Sequence, residues 1–424
     1  IFKGMGRKVG MTSTDGVVID ERLLIKADAS GPRSARMVLQ NPRVDFAVFE
    51  VARGGILREG LGYERNDVAV VLNVQPDHLG LRGIDTVEQL ADVKAVLVEA
   101  VPRDGHAVLN ADDPLVREMR RRCSGQVVWF SMAQRDTPEG SETRDMIDAH
   151  CRRGGKALVL EPTERGEMIV VRHGRRDMQL AWTHLLPATF GGRARMNVQN
   201  ALGAAAAAFA AGAPLHDIRQ GLRTFSTSYY LSPGRLNEIE VNGVNVIVDY
   251  CHNAPGMRML GDFVDRVGEG LASTHELGRA SRIGVIATAG DRRDEDMREL
   301  GDIAAQHFDV VVIREDVALR KRERGETAAL VNEGVRRAME AGARCKQVEV
   351  VLDEIEAVRH AMARANPGDL LVVCVDQHPA VMSELESWSK QAQAGATSHP
   401  DAPVADPDYA PVPSSEPAAE SVSG

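Results

Sequence analysis

Two successive α/β units, each built on a largely parallel sheet, are what this sequence predicts. Three observations carry the prediction. Short β-branched runs alternate with helical patterns along most of the chain, a polar stretch at 131–190 interrupts the alternation once, and the alternation restarts near Leu231.

The first runs are DFAVFE (45–50), DVAVVLN (67–73), GHAVLN (105–110) and VVWF (127–130). Near-continuous apolar character marks them as strands of a buried parallel sheet. Thr86 and Gln89 have capping-box spacing, and Val87, Leu90, Leu97, Val98 and Val101 form the apolar stripe of the helix that follows. Lys94 falls on that stripe, in a chain with eight lysines against 43 arginines. An ammonium there must be paired, carried to a rim or chemically altered, because burying it alone is costly.

Residues 131–190 are Gly- and Arg-rich, and ALVLEP and MIVVRH within them suggest a small antiparallel excursion. The alanine-rich NVQNALGAAAAAFAAGA reads as a helix. VNVIVDY, RIGVIATAG, DVVVIRED, VEVVLD and DLLVVCVD then alternate with helices, the layout of a Rossmann-like domain. The expected division is 1–230, 231–390 and a tail, 391–424, whose Ala, Pro, Ser and Asp cannot bury enough to order themselves. GMGRKVG (4–10) is not a nucleotide loop: its spacing is wrong and it leads into a strand, so it reads as a helix C-cap.

The net charge is −10, and five of those charges lie in the last 34 residues, which carry no Lys or Arg. The remainder is near balance, which argues against a nucleic-acid surface. Five widely spaced cysteines without a CxxC pair suit a reduced cytoplasm rather than a disulfide framework. No apolar run approaches the roughly 18 residues that span a membrane. Ile1 is not a start residue, so the chain is expected to open within a longer one.

In such sheets ligands meet the carboxyl ends of strands. Glu50 ends one strand and is followed by VARGG; Asn73 ends the next, and Asp77 and His78 lie in the loop before the Lys94 helix. Singly, His78 could cap or pack, and Lys94 could snorkel. Together a carboxylate, an imidazole and a lysine point to a divalent-metal and phosphate site, with the lysine either a phosphate clamp or a carbamate.

FEVARGGILREGLGY, NVQPDHLGLRGIDTVEQLADVK, NADDP, SPGRLN, DYCHNAPGM and TAGDRRDEDM together resemble the Mur ligase family. Within it they are most similar to the ligase half of cyanophycin synthetases, on ARGGILR and GDRRDED above all. The resemblance covers residues 1 to about 385. It implies a Mur ligase-like central ATPase domain with a parallel sheet, then a Rossmann-like C-terminal domain. It also implies ATP and Mg²⁺ as cofactors, with arginine and the aspartate–arginine polymer cyanophycin as partners of a cytoplasmic homo-oligomer.

By the same resemblance Glu50 would hold magnesium between the β- and γ-phosphates. His78 and a carbamylated Lys94 would hold a second ion. Asn200 would reach adenine, Arg235 a phosphate, Asp249 the ribose, and His252 would lie close to the nucleotide. Met196 stands where many relatives have His, and Cys251 where Ala is commoner. The family's glycine-rich phosphate loop is expected just before Ile1, and an ATP-grasp half further upstream. The chain is therefore expected to be an N-terminally truncated copy or fragment, inactive by itself.

The chemistry implied is activation of a carboxylate as an acyl phosphate, then attack by an amine. Hard oxygen ligands suit the magnesium that neutralises the phosphate charge. Arg53, Arg292, Arg293 and Asp294 are candidate substrate contacts, able to read either zwitterionic arginine or an anionic backbone. REDVALRKRERGE (314–326) lies at the next strand end, either as a ligand loop or as a solvated charged loop. Another Mur-type ligase, and a domain that keeps the fold without turnover, stay open as readings.

Overall fold

The computed structural model describes residues 1–76, 79–229, 231–272 and 280–396. His78, Asp77 and the tail beyond Ala396 lie outside these residues.

A four-stranded sheet opens the chain, in the order β3-β2-β1-β4: β1 (Val9–Ser13), β2 (Gly16–Ile19), β3 (Arg22–Ile25) and β4 (Phe46–Phe49). The first three strands form an antiparallel meander, and β4 joins β1 in parallel with Met11 opposite Val48. Helix α1 (Pro32–Leu39) connects β3 to β4 and covers one face, burying Val17, Ile19 and Val38. Ahead of β1, the 3₁₀ turn Phe2–Met5 ends at Gly6, whose φ of 81° makes it the expected C-cap.

DFAVFE, expected beside DVAVVLN in one parallel sheet, is instead β4 of this separate sheet. Its backbone groups pair with the edge of β1, a local partner that the run's own composition cannot specify. Helix α2 (Arg53–Glu59) leads on to the second sheet.

That sheet has six strands in the order β10-β9-β8-β7-β6-β5. The strands β5 (Val68–Val71), β6 (His106–Asn110) and β7 (Gln126–Ser131) are parallel, joined through α3 (Val87–Glu99) and α4 (Pro114–Glu118). After α5 (Pro138–Arg152), β8 (Lys156–Thr163) pairs β7 in parallel, and β9 (Gly166–His173) and β10 (Arg176–Trp182) continue antiparallel. The antiparallel stretch thus extends the sheet and does not stand apart from it. Its helix α5 escapes the apolar periodicity because the buried positions include Gly140, Thr143 and Arg144.

Helix α6 (Arg195–Ala210) lies flat on this sheet, followed by α7 (Leu215–Thr224). Buried Ala205, Ala206 and Ala208 keep α6 close to the strands. At Gly203 even a methyl group would come 2.9 Å from the Leu72 side chain. Phe130, Leu158 and Leu202 fill the layer between, each side chain contributing about 2–3 kcal/mol by burial.

The third sheet runs β11-β12-β16-β13-β14-β15. Its strands are β11 (Asn237–Val241), β12 (Val244–Asp249), β13 (Arg282–Ile286), β14 (Val310–Ile313), β15 (Gln347–Val350) and β16 (Leu370–Cys374). All but β11 are parallel. Helices α8 (Ala254–Ala272), α9 (Asp294–His307), α10 (Glu326–Glu340) and α11 (Glu354–Arg364) connect them, and α12 (His378–Ala396) closes the fold, entering the stretch expected to be tail. Two helices cross at glycines: a Cβ on Gly334 would sit 1.9 Å from the Arg298 carbonyl oxygen of α9. Among the described residues no helix is long and apolar enough to cross a membrane.

Candidate functional site

The carboxyl ends of β4 and β5 carry the first group. Glu50 follows β4 directly. Its N–H donates to Thr12 O at 2.9 Å, and its Oε2 accepts the Thr14 N–H at 3.0 Å, so the β1–β2 turn aims an otherwise exposed carboxylate. Arg53 opens α2 three residues on.

Lys94 stands on α3, whose capping box at Thr86 and Gln89 forms as the spacing predicts. Its neighbours Leu90, Ala91, Ala95 and Val98 are buried, but its own Nζ reaches out to Asn73 O at 3.3 Å. The half-buried side chain therefore delivers its nitrogen to the end of β5 and not into the core. The loop it meets is fixed from below by NADDP. Asn110 donates to Leu72 O at 2.8 Å, and Asp113 accepts the Val74 N–H at 2.7 Å while capping α4 through Leu115 and Val116 N–H. Asp112 accepts from Ser131 Oγ and Met132 N–H, and burial pushes its carboxyl up. NADDP was legible as a family motif; that Asn110 and Asp113 hold the strand end was not.

A second group gathers at β12. Asp249 ends that strand, where its Oδ2 accepts the Leu236 N–H at 3.0 Å and its Oδ1 the Cys251 N–H at 2.9 Å. Burial raises its carboxyl, while these donors and nearby Arg235 pull the other way. The Arg235 guanidinium lies over the Tyr250 ring, 5.3 Å from its centroid. His252 donates Nδ1–H to Tyr250 O at 2.8 Å, which leaves Nε2 as the acceptor of the neutral ring, and Thr288 Oγ donates to His252 O at 3.1 Å. Arg235, Asp249 and His252 thus converge. Tyr250, singled out by no sequence signal beyond its place in the motif, is the surface between them.

Asn200 is exposed on α6 and donates to Asn197 Oδ1 at 3.2 Å, and Asn197 in turn donates to Ala188 O at 2.7 Å. Asp15, in the β1–β2 turn beside Thr14, is close enough to Tyr250 to help raise its hydroxyl, after burial.

The loops after β13 and β14 are bound to each other. Arg322 donates to Asp294 at 2.8 Å, Glu326 at 2.6 Å, Arg292 O at 2.9 Å and Gly290 O at 3.2 Å. Buried Arg292 pairs with Asp291, which also takes Arg320. Arg293 pairs with Asp296 in the first turn of α9. REDVALRKRERGE is therefore stapled through Arg322 while Val317, Arg320, Lys321 and Arg324 stay exposed, and Arg293 and Asp294 pair within the protein.

Among the described residues no three His, Cys, Asp or Glu side chains group as a metal site. The donors present are hard oxygens: the Glu50 carboxylate and, at the Lys94 strand end, the Asn73 carbonyl. That chemistry fits magnesium.

A family model of the Mur ligase middle domain matches residues 2–208, and one of the Mur ligase glutamate ligase domain matches 234–375. Cyanophycin synthetases of Crocosphaera subtropica and Synechocystis are each 42% identical over 373 residues, 88% of this chain. The chain spans 40% of their length. A UDP-N-acetylmuramoyl-L-alanyl-D-glutamate–2,6-diaminopimelate ligase of Geobacillus kaustophilus is 25% identical over 89% of this chain and 70% of its own. Among solved structures, a bifunctional folylpolyglutamate synthase/dihydrofolate synthase of Yersinia pestis is similar with a TM-score of 0.60 at 18% identity, over 91% of this chain and 83% of that one.

Proposed function

The chain belongs to the Mur ligase family, and from that premise we propose that it is the arginine-adding ligase part of a cyanophycin synthetase. The observation that carries the reading is the 42% identity to cyanophycin synthetases over 88% of the chain, against 25% to a diaminopimelate ligase. The proposed domains are 1–230 and 231–390, in a cytoplasmic homo-oligomer.

In the proposed reaction an aspartate side-chain carboxylate of the polymer attacks the γ-phosphorus of ATP, and ADP leaves. The α-amine of arginine then attacks the acyl carbon, loses a proton and expels phosphate, which leaves an isopeptide bond. Arg235 holds a phosphate oxygen, neutralising charge beside the Tyr250 face. Asp249, already fixed by two N–H groups, accepts from the ribose, and Asn200 reaches adenine. His252, with Nε2 free to accept, lies against the nucleotide. The stapled loops after β13 and β14 read the incoming amino acid, with Arg292, Arg293 and Asp294 as candidate contacts, and Arg53, at the start of α2, is a further one.

Magnesium, when bound, supplies neutralisation of the phosphate charge, and Glu50, His78 and a carbamylated Lys94 would hold it. The carbamate forms when the Lys94 amine adds to carbon dioxide and releases a proton. The helix and strand that bring Nζ to Asn73 O keep the modified nitrogen at the strand end.

A second reading, for these 424 residues taken alone, is a fold without turnover. The experiment joins the chain to the upstream portion of a cyanophycin synthetase and supplies ATP with arginine, lysine or diaminopimelate. Arginine-dependent ADP release and polymer growth support the proposal. Preference for another amine assigns a different ligase. The 424 residues alone should release no more ADP than their Glu50→Ala variant.

A further inference from the structure

Asn237 closes SPGRLN and is 2% exposed. Its amide nitrogen donates to Thr227 O and Ser232 O, both at 2.8 Å, which fixes the orientation of the amide. Oδ1 then faces two partners, the Gly234 N–H at 2.7 Å and Nε2 of His378 at 2.8 Å. A carbonyl oxygen can only accept, so Nε2 of His378 must carry the proton. His378, 1% exposed, is the first residue of α12 and stacks on Tyr229, with ring centroids 5.0 Å apart.

The turn these groups hold is the one that delivers the nucleotide residues. Gly234, at φ 67°, passes so close to Tyr250 that a Cβ would lie 2.1 Å from its ring. Gly234 O takes the Tyr250 N–H at 2.8 Å, Arg235 follows over that ring, and the Leu236 N–H reaches Asp249. No side-chain bond from α12 other than that of His378 reaches Asn237 among the described residues.

We propose that His378, as the Nε2–H tautomer, is a positioning residue for the nucleotide site. It fixes Asn237, Asn237 fixes the 232–235 turn, and the turn sets Arg235 over Tyr250 and the Leu236 N–H on Asp249. Helix α12, remote in sequence, thereby becomes part of the nucleotide site. The nucleotide role rests on the function proposed above; the positioning of the turn rests on the bonds themselves.

The test compares the 424-residue chain with His378→Phe, which keeps the stack on Tyr229 but removes the donor, and His378→Gln, which returns an N–H. ATP binding is read by titration calorimetry on each form joined to the upstream portion of a cyanophycin synthetase. On the 424 residues, amide exchange at Gly234 and Leu236 is read by NMR and the tautomer by long-range ¹H–¹⁵N correlation. The Phe variant should bind ATP about tenfold more weakly, the loss of one buried hydrogen bond. It should also exchange faster at both amides, with the thermal midpoint little changed, and the Gln variant should recover most of both. Asn237→Ser should move both readouts the same way. Unchanged exchange and affinity in the Phe variant, or an Nδ1–H tautomer at His378, would overturn the proposal. If the unsubstituted chain joined to that upstream portion binds no ATP, the nucleotide reading fails, while exchange and tautomer still decide whether His378 positions the turn.

Discussion

Glu50 and Thr14 are tied by a hydrogen bond from the Thr14 backbone to Oε2 of Glu50, 3.0 Å long and bridging 36 positions of sequence. A carboxylate at the end of one strand is thus aimed by the turn between two others. Glu50→Gln keeps an acceptor for Thr14 and should leave the fold intact. The lost charge should lower arginine addition by the enzyme with its upstream portion at least about a hundredfold and raise its magnesium requirement. A variant that needs no more magnesium than the parent would remove Glu50 from the metal site.

Lys94 meets a backbone carbonyl at the end of β5, where a carbamate would meet a metal. Lys94→Arg keeps the positive charge and cannot form the carbamate, so the enzyme should be inactive. Lys94→Ala should regain some arginine addition when a short carboxylic acid is supplied. Labelled carbon dioxide should give a carbamate signal by ¹³C NMR in the parent alone. Near-normal rates in the Arg variant would make the lysine a cation at a rim.

Asp249 carries a pH signature of known sign. Burial raises its folded pKa above the unfolded value, so the folded state binds the proton more tightly. Stability from this group is therefore greatest in acid and is lost as pH rises from the ordinary carboxylate range through the raised folded value. Asp249→Asn lacks that loss. The melting temperature of the variant relative to the parent should rise as the pH climbs from the ordinary carboxylate range, even though the amide cannot accept from both N–H groups. A difference that stays flat across this range would show that Asp249 titrates as an exposed carboxylate does.

Gly334 lets α10 rest on the backbone of α9. An alanine Cβ would stand 1.9 Å from Arg298 O, and a helix backbone cannot yield as a side-chain tip can. Gly334→Ala should cost about 3 kcal/mol in denaturant unfolding, at the upper end of overpacking. Gly342→Ala, where a Cβ meets nothing within 4 Å but φ is 91°, separates backbone strain from collision and should cost about 1 kcal/mol.

Local chemistry determined much of this protein without its tertiary structure. The five apolar runs after Leu231 became β12 to β16, the Thr86–Gln89 box capped α3, and Gly6 capped its turn, because strand burial and capping depend on residues close in sequence. The tertiary structure decided what such signals do not encode. DFAVFE left the main sheet because a β1 edge was available to it, and a strand's apolar pattern is the same whichever neighbour it pairs with. Asp294, read as a candidate substrate contact, takes Arg322 from the loop after β14, since an ion pair over 28 positions is settled by which loops the sheet brings together. His378 and Asn237, 141 positions apart, meet only because β12 and β16 are adjacent, with Asp249 in register with Cys374, which places the start of α12 over the SPGRLN turn.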